Sequence, residues 1–357
     1  MTKLRLDPDL LQPAFDALGA RVDSGVVSAA VLAVATSDGL VRDEAFGTVG
    51  GDNVGVDDRF FLASVTKPIV ATAVLQLAAE GRISLREPLR TYLPDLPESH
   101  AAITAWNVLT HTSGIPDDPF GEWADQAPRD ELVRRAFTRP LAFVPGSRYG
   151  YCSTSFYVLA ELLARMDGLD FVESLRRRVL DPMRMASTSF SALEPAGTWI
   201  PLLGLPQPPD GPAAVRSMFE YLATVAMPGG GLWSTAADLV RFARAYLRNG
   251  SLDGARLLPP AFVDLACTEQ TSGLMEPSAD GILPARDPHY SLGWGKPARG
   301  GDIPCSERAV EHGGASGTRL FIDPETDLAV VVLANRWDQA ETSRAVVAAV
   351  QSALVAS

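Results

Sequence analysis

The chain has 357 residues, 46% of them apolar and 21% charged, enough for roughly two domains or one large domain with an insertion. Its net charge of −12 speaks against nucleic acid as a partner and against electrostatic docking on anionic lipid. The three cysteines, Cys152, Cys267 and Cys305, lie far apart and give neither a disulfide framework nor a zinc spacing. No apolar run reaches the roughly 18 residues of a membrane span, and the first eight residues lack the apolar core of a signal peptide. A soluble protein of the reducing cytoplasm, without metal or cofactor, is the expectation.

A first helix opens near Asp7-Pro8 or Gln12-Pro13, with Phe15, Leu18 and Val22 at helical spacing. Residues 29–35 (Ala-Ala-Val-Leu-Ala-Val-Ala) form a buried strand, Ser37-Asp38-Gly39 turns it, and Leu40 to Phe46 returns antiparallel. From Lys67 to Gly81 the pattern is helical, with Val70, Val74, Leu75 and Leu77 apolar and Gly81 as the stop. Two further helices are expected over Asp130–Phe137 and Ser155–Met166. The stretch Pro201–Pro212 holds five prolines and reads as a loop or lid over a cleft. Thr235 is placed to cap a helix over Ala236–Leu247, which Asn249-Gly250 ends. Thr318–Ile322 and Leu328–Leu333 flank Asp323-Pro324-Glu325-Thr326 as a hairpin, and a helix over Ser343–Leu354 closes the chain. Strands thus cluster at both ends and helices in the middle. The fold class is α+β: one antiparallel sheet built from residues 1–80 and 225–357, flanked by helices, with an inserted helical domain over 81–224 and the active site between them.

Arginine outnumbers lysine 28 to 3, and one of the three lysines, Lys67, stands three residues after Ser64. Residues i and i+3 share a helix face, so the amine lies beside the hydroxyl. A serine hydroxyl is a poor nucleophile until a base takes its proton, and a buried lysine is one such base. The stretch Tyr149-Gly150-Tyr151-Cys152-Ser153 offers a phenol, Tyr151, which a neighbouring ammonium biases toward a usable base. His312-Gly313-Gly314 precedes a strand, where paired glycines allow substrate close to the backbone. An edge strand there supplies an N–H that, with the Ser64 N–H, holds an oxyanion.

Ser64-x-x-Lys67, Tyr151-x-Ser153 and His312-x-Gly314, in this order, resemble the serine β-lactamase-like superfamily, in its branch of class C β-lactamase-related esterases and D-aminopeptidases. Leu109–Pro116, Glu80–Leu85 with Tyr92-Leu93-Pro94, Gly229–Thr235 and Leu292-Gly293-Trp294-Gly295 resemble further signatures of the same family, which together span about residues 15 to 355. The resemblance implies Ser64 as the acylated nucleophile and Lys67 with Tyr151 as the proton-handling pair. It also implies an oxyanion hole from the Ser64 and Ala315 N–H groups. His312, Gly313, Gly314 and Ser153 are then the substrate-contacting positions. Two departures matter. Ser153 stands where the family's β-lactamases carry Asn, and His312 stands where they carry the Lys of Lys-Thr-Gly.

The missing lysine removes the charge that meets a β-lactam carboxylate, and the missing Asn removes an amide donor. Both point to a serine hydrolase of small esters lacking a carboxylate. The rival readings are a D-amino-acid peptidase or amidase, a weak β-lactamase, an acyltransferase, and an inactive binding protein on the same scaffold. His111 reads as structural, and Cys152 as pointing away from the site. Trp233, Trp294 and Trp337 read as acyl-pocket walls or core. No Gly-x-Ser-x-Gly occurs, which speaks against an α/β-hydrolase.

Overall fold

The computed structural model describes residues 4–118, 126–192, 198–205, 211–275, 288–297 and 305–356. The strands are β1 (Leu4–Leu6), β2 (Ala29–Ala35), β3 (Leu40–Val49), β4 (Asp52–Asn53), β5 (Phe60–Phe61), β6 (Trp233–Ser234), β7 (Ser251–Leu252), β8 (Ala255–Arg256), β9 (Val310–Gly313), β10 (Arg319–Asp323), β11 (Leu328–Ala334) and β12 (Leu354–Ala356). The main sheet runs β4-β3-β2-β11-β10-β9 with antiparallel neighbours, so the two chain ends meet where β2 pairs β11. Both expected hairpins form, and β3 runs three residues beyond Phe46.

The central strands are apolar at every position because both faces are covered, and their residues alternate between two cores. Ala29, Val31, Ala33 and Ala35 of β2, with Ala329, Val331 and Leu333 of β11, face the larger core. Ala30, Leu32 and Val34, with Val330 and Val332, face the smaller one. There they meet α1 (Gln12–Asp23) and the last helix of the chain (Ala340–Gln351), through Phe15, Leu18, Val346, Val347 and Val350. On the other face lies α2 (Thr66–Ala79), every side chain of which is buried from Thr66 to Leu77, as a helix apolar all round requires. Gly81, at φ 69°, follows its end.

The middle of the chain supplies α3 (Ala105–Leu109), α4 (Arg129–Thr138), α5 (Phe156–Asp167), α6 (Phe171–Leu175) and α7 (Gly211–Val225). After it come α8 (Ala236–Leu247), capped by the Thr235 hydroxyl on the Asp238 N–H, then α9 (Pro260–Cys267) and the last helix, α10. Two expectations are corrected. The closing helix begins at Ala340 and ends at Gln351, because residues 354–356 pair with Leu4–Leu6 as a two-stranded ribbon. Pro212 belongs to the first turn of α7, where its missing N–H costs nothing. Of the proposed lid, residues 206–210 lie outside the described residues, as does most of 273–288, which the sequence marked as pocket-shaping. Residues 201–205 bury Leu202 and Leu205 in the larger core and bond to the end of β11 (Leu203 N–H to Asn335 O, 2.8 Å; Trp337 N–H to Leu203 O, 2.8 Å). Among the described residues, no helix is long and apolar enough to cross a membrane.

Candidate active site

Ser64 sits in a single 3-10 turn, Ala63–Val65, that leads into α2. Ala63 before it has φ 45°, a left-handed conformation that a side chain resists. Three contacts hold the turn there. Leu62 N–H donates to Leu232 O (2.8 Å), the Thr318 hydroxyl donates to Leu62 O (2.9 Å), and Leu232 N–H donates to the Thr66 hydroxyl (3.1 Å). One turn on, the Lys67 amine is fully buried. Its three donor positions each find an acceptor: Ser64 Oγ at 3.1 Å, Ser153 Oγ at 3.0 Å and Gly229 O at 2.6 Å. A buried amine needs that full set. Gly229 is glycine for a packing reason, since a Cβ there would lie 2.6 Å from Ser153 O.

Tyr151 and Ser153 arrive on the segment before α5. The Tyr151 ring centroid lies 4.7 Å from Lys67 Nζ, so the ammonium meets the face of the ring. The hydrogen-bonded partner of Lys67 on this segment is Ser153, and the Tyr151 hydroxyl has no hydrogen bond among the described residues. His111 packs under the Tyr151 ring at 4.3 Å and accepts the Cys152 N–H on Nδ1 (3.1 Å). Burial, then the Lys67 charge, holds its imidazole well below the usual histidine range, so it stays neutral and structural. Cys152 is buried, its sulfur accepts the Ser155 N–H, and burial pushes its thiol up, away from reactivity.

His312 lies on β9, at the edge of the sheet. Its Nδ1 faces Gly313 O at 2.9 Å and must donate to it, which leaves Nε2 to accept the Tyr290 O–H at 2.9 Å. Burial first, then the Lys67 charge, brings the His312 pKa down to about 3, and burial raises that of Tyr290 well above the usual phenol value. Both groups are neutral in the working range, and both ring nitrogens of His312 are occupied by protein. Tyr290 was missed in the sequence. It reaches His312 because Gly295 pairs with Glu311 through two 2.9 Å bonds, and because Gly293, at φ 78°, lets its loop press on Ala71 of α2. Its only signal was its place two residues before the Leu292–Gly295 signature.

Gly314 has a packing reason of its own. A Cβ on Gly314 would lie 2.2 Å from Thr318 Oγ1 and 2.3 Å from Leu62 O, so this glycine lets the β9–β10 turn close onto the nucleophile turn. The next residue, Ala315, is half-buried, and its N–H has no acceptor among the described residues. Gly314→Ala is expected to cost about 1–3 kcal/mol of stability, the range for extra atoms forced into a packed site. Thermal unfolding and ester turnover should fall together. Wild-type values of both would contradict this account of the turn. Trp233 and Trp294 are core residues, while Trp337 is half-buried against the larger core.

An α+β fold with a serine and a fully hydrogen-bonded lysine at the start of a buried helix, facing a sheet-edge strand, defines a serine hydrolase of the β-lactamase and transpeptidase class. The chain belongs to the β-lactamase family, whose model matches residues 14–354. It is 29% identical to esterase EstB of Burkholderia gladioli, covering 94% of this chain and 95% of that one. It is 26% identical to the lovastatin esterase of Penicillium rubens, covering 87% and 89%. In fold it is similar to a penicillin-binding protein homologue from Caulobacter crescentus, with a TM-score of 0.78 over 98% of both chains at 20% identity.

Proposed function

We propose that this protein hydrolyses small carboxylic esters that carry no carboxylate, through an acyl-enzyme on Ser64. The observation that carries the reading is the Lys67 amine, 3.1 Å from Ser64 Oγ and 3.0 Å from Ser153 Oγ, beside a neutral, fully bonded His312. The Lys67 amine takes the Ser64 proton as Oγ attacks the ester carbonyl. The Ser64 and Ala315 N–H groups hold the oxyanion, each worth on the order of 3 kcal/mol of barrier. As the intermediate collapses, the proton passes from Lys67 to the leaving alkoxide, directly or through the Ser153 hydroxyl. The Tyr151 hydroxyl, which has no hydrogen bond among the described residues, is the second group available to that oxygen. Water then adds to the acyl-enzyme, giving its proton to Lys67, and the acid leaves as Ser64 regains a proton.

The substrate class follows from charge. His312 occupies the position of the lysine that would bind a carboxylate, and Arg319 behind the strand is buried and paired with Glu311 at 2.5 Å. The two esterase relatives support the same reading. p-Nitrophenyl butyrate, nitrocefin and a D-alanine amide are compared on one preparation. Ester kcat/KM should exceed that for nitrocefin, which carries a carboxylate, by at least about 10- to 100-fold, the worth of one charge-assisted hydrogen bond, and should also exceed that for the amide. Faster turnover of nitrocefin or the amide would overturn the ester reading in favour of a β-lactamase or peptidase.

A further inference from the structure

We infer that Asp117 is a positioning residue for the acyl-transfer reaction, its carboxylate setting the turn that holds the Ser153 hydroxyl against Lys67. The inference rests on the Ser64–Lys67 chemistry proposed above. Asp117 Oδ1 accepts three hydrogen bonds, from Ser153 N–H at 2.8 Å, Thr154 N–H at 3.0 Å and the Thr154 hydroxyl at 3.1 Å. The same turn is gripped from its other end by His111, whose carbonyl accepts Gly150 N–H at 2.8 Å and whose Nδ1 accepts Cys152 N–H at 3.1 Å. Four backbone donors of residues 150–154 are therefore held by one loop, residues 111–117. That loop is itself tied down, because Asp118 N–H donates to the Thr154 hydroxyl at 3.2 Å and Asp118 pairs with Arg139 at 2.6 Å.

The route to the reacting atoms is short. Asp117 bonds the Ser153 backbone, Ser153 Oγ bonds Lys67 at 3.0 Å, and Lys67 bonds Ser64 at 3.1 Å. Asp117 is exposed, so replacing it removes little packing, while freeing the turn allows the Ser153 hydroxyl to move off Lys67. A displacement of about 1 Å is enough for a loss near 10²-fold.

The test measures kcat and KM for p-nitrophenyl butyrate in Asp117→Ala, Asp117→Glu and Asp117→Asn, with Ser64→Ala as the zero of the assay. Asparagine keeps an acceptor oxygen in place without the charge, and glutamate keeps the charge but moves it by one methylene. The alanine and glutamate variants should lose about 10- to 100-fold in kcat with KM within about 3-fold of wild type, and asparagine should recover most of the loss. Glutamate provides the reading if the alanine variant does not fold. Wild-type kcat in the alanine or glutamate variant would overturn the inference. So would a loss confined to KM, or a series in which glutamate outperforms asparagine, which would mark a purely electrostatic role. Activity surviving in Ser64→Ala would instead overturn the nucleophile assignment, so the two failures are distinguishable.

Discussion

Ser64→Ala is expected to lower kcat/KM for p-nitrophenyl butyrate by on the order of 10⁴- to 10⁶-fold, the scale of removing an activated serine. The residue left behind has no oxygen to acylate, while the oxyanion donors and the substrate pocket remain. What survives is therefore the weak catalysis those elements give alone. The fold should not be the cause of the loss. Ser64 is half-buried, and its turn is held by Leu62, Thr66 and Thr318, none of which contacts the Ser64 hydroxyl in doing so. The variant's melting temperature should stay close to wild type. A variant that retains full ester turnover would show that another residue carries the chemistry.

Lys67→Met should cost about 10²- to 10⁴-fold in kcat, the usual contribution of a positioned general base. It should also cost stability, because the amine satisfies three oxygens and methionine satisfies none. Gly229 O is buried, and a buried acceptor left without a donor costs about 1–3 kcal/mol. Lys67→Arg should be no rescue. Its guanidinium cannot release a proton to act as a base, and its planar fork does not match three acceptors that converge on one nitrogen. Circular dichroism separates the two losses, since the loss of activity should persist at temperatures where the variant is fully folded. An arginine variant with wild-type kcat would contradict the proton-transfer role.

The parts of this site that were legible in the sequence are those fixed by local geometry. The i, i+3 spacing of Ser64 and Lys67 sets their adjacency once α2 forms, and the hydropathy of residues 29–35 and 328–333 declares strands covered on both faces. Legibility failed where the partner is distant in sequence. Asp117 meets Ser153 across 36 residues and Tyr290 meets His312 across 22, and neither residue type announces such a contact. The glycines were visible, but their reason was not. Gly229 and Gly314 are small because Ser153 O and Leu62 O lie where a Cβ would stand, which only the packed structure reveals. Helix ends were the other weak point. Pro212 looks like loop chemistry yet sits comfortably in a first turn, and Leu354 continues an apolar pattern that the chain uses for a strand.

The central claim is a covalent acyl intermediate on Ser64, and the most direct test is to trap it. The protein is mixed with a slowly deacylating p-nitrophenyl ester, quenched in acid within the burst, and analysed by intact-mass and peptide mass spectrometry. The account predicts one acyl group per chain, located at Ser64 within the peptide that also contains Lys67, and no adduct in Ser64→Ala. An adduct on another residue, or steady ester turnover with no adduct under conditions where acylation outpaces hydrolysis, would contradict it.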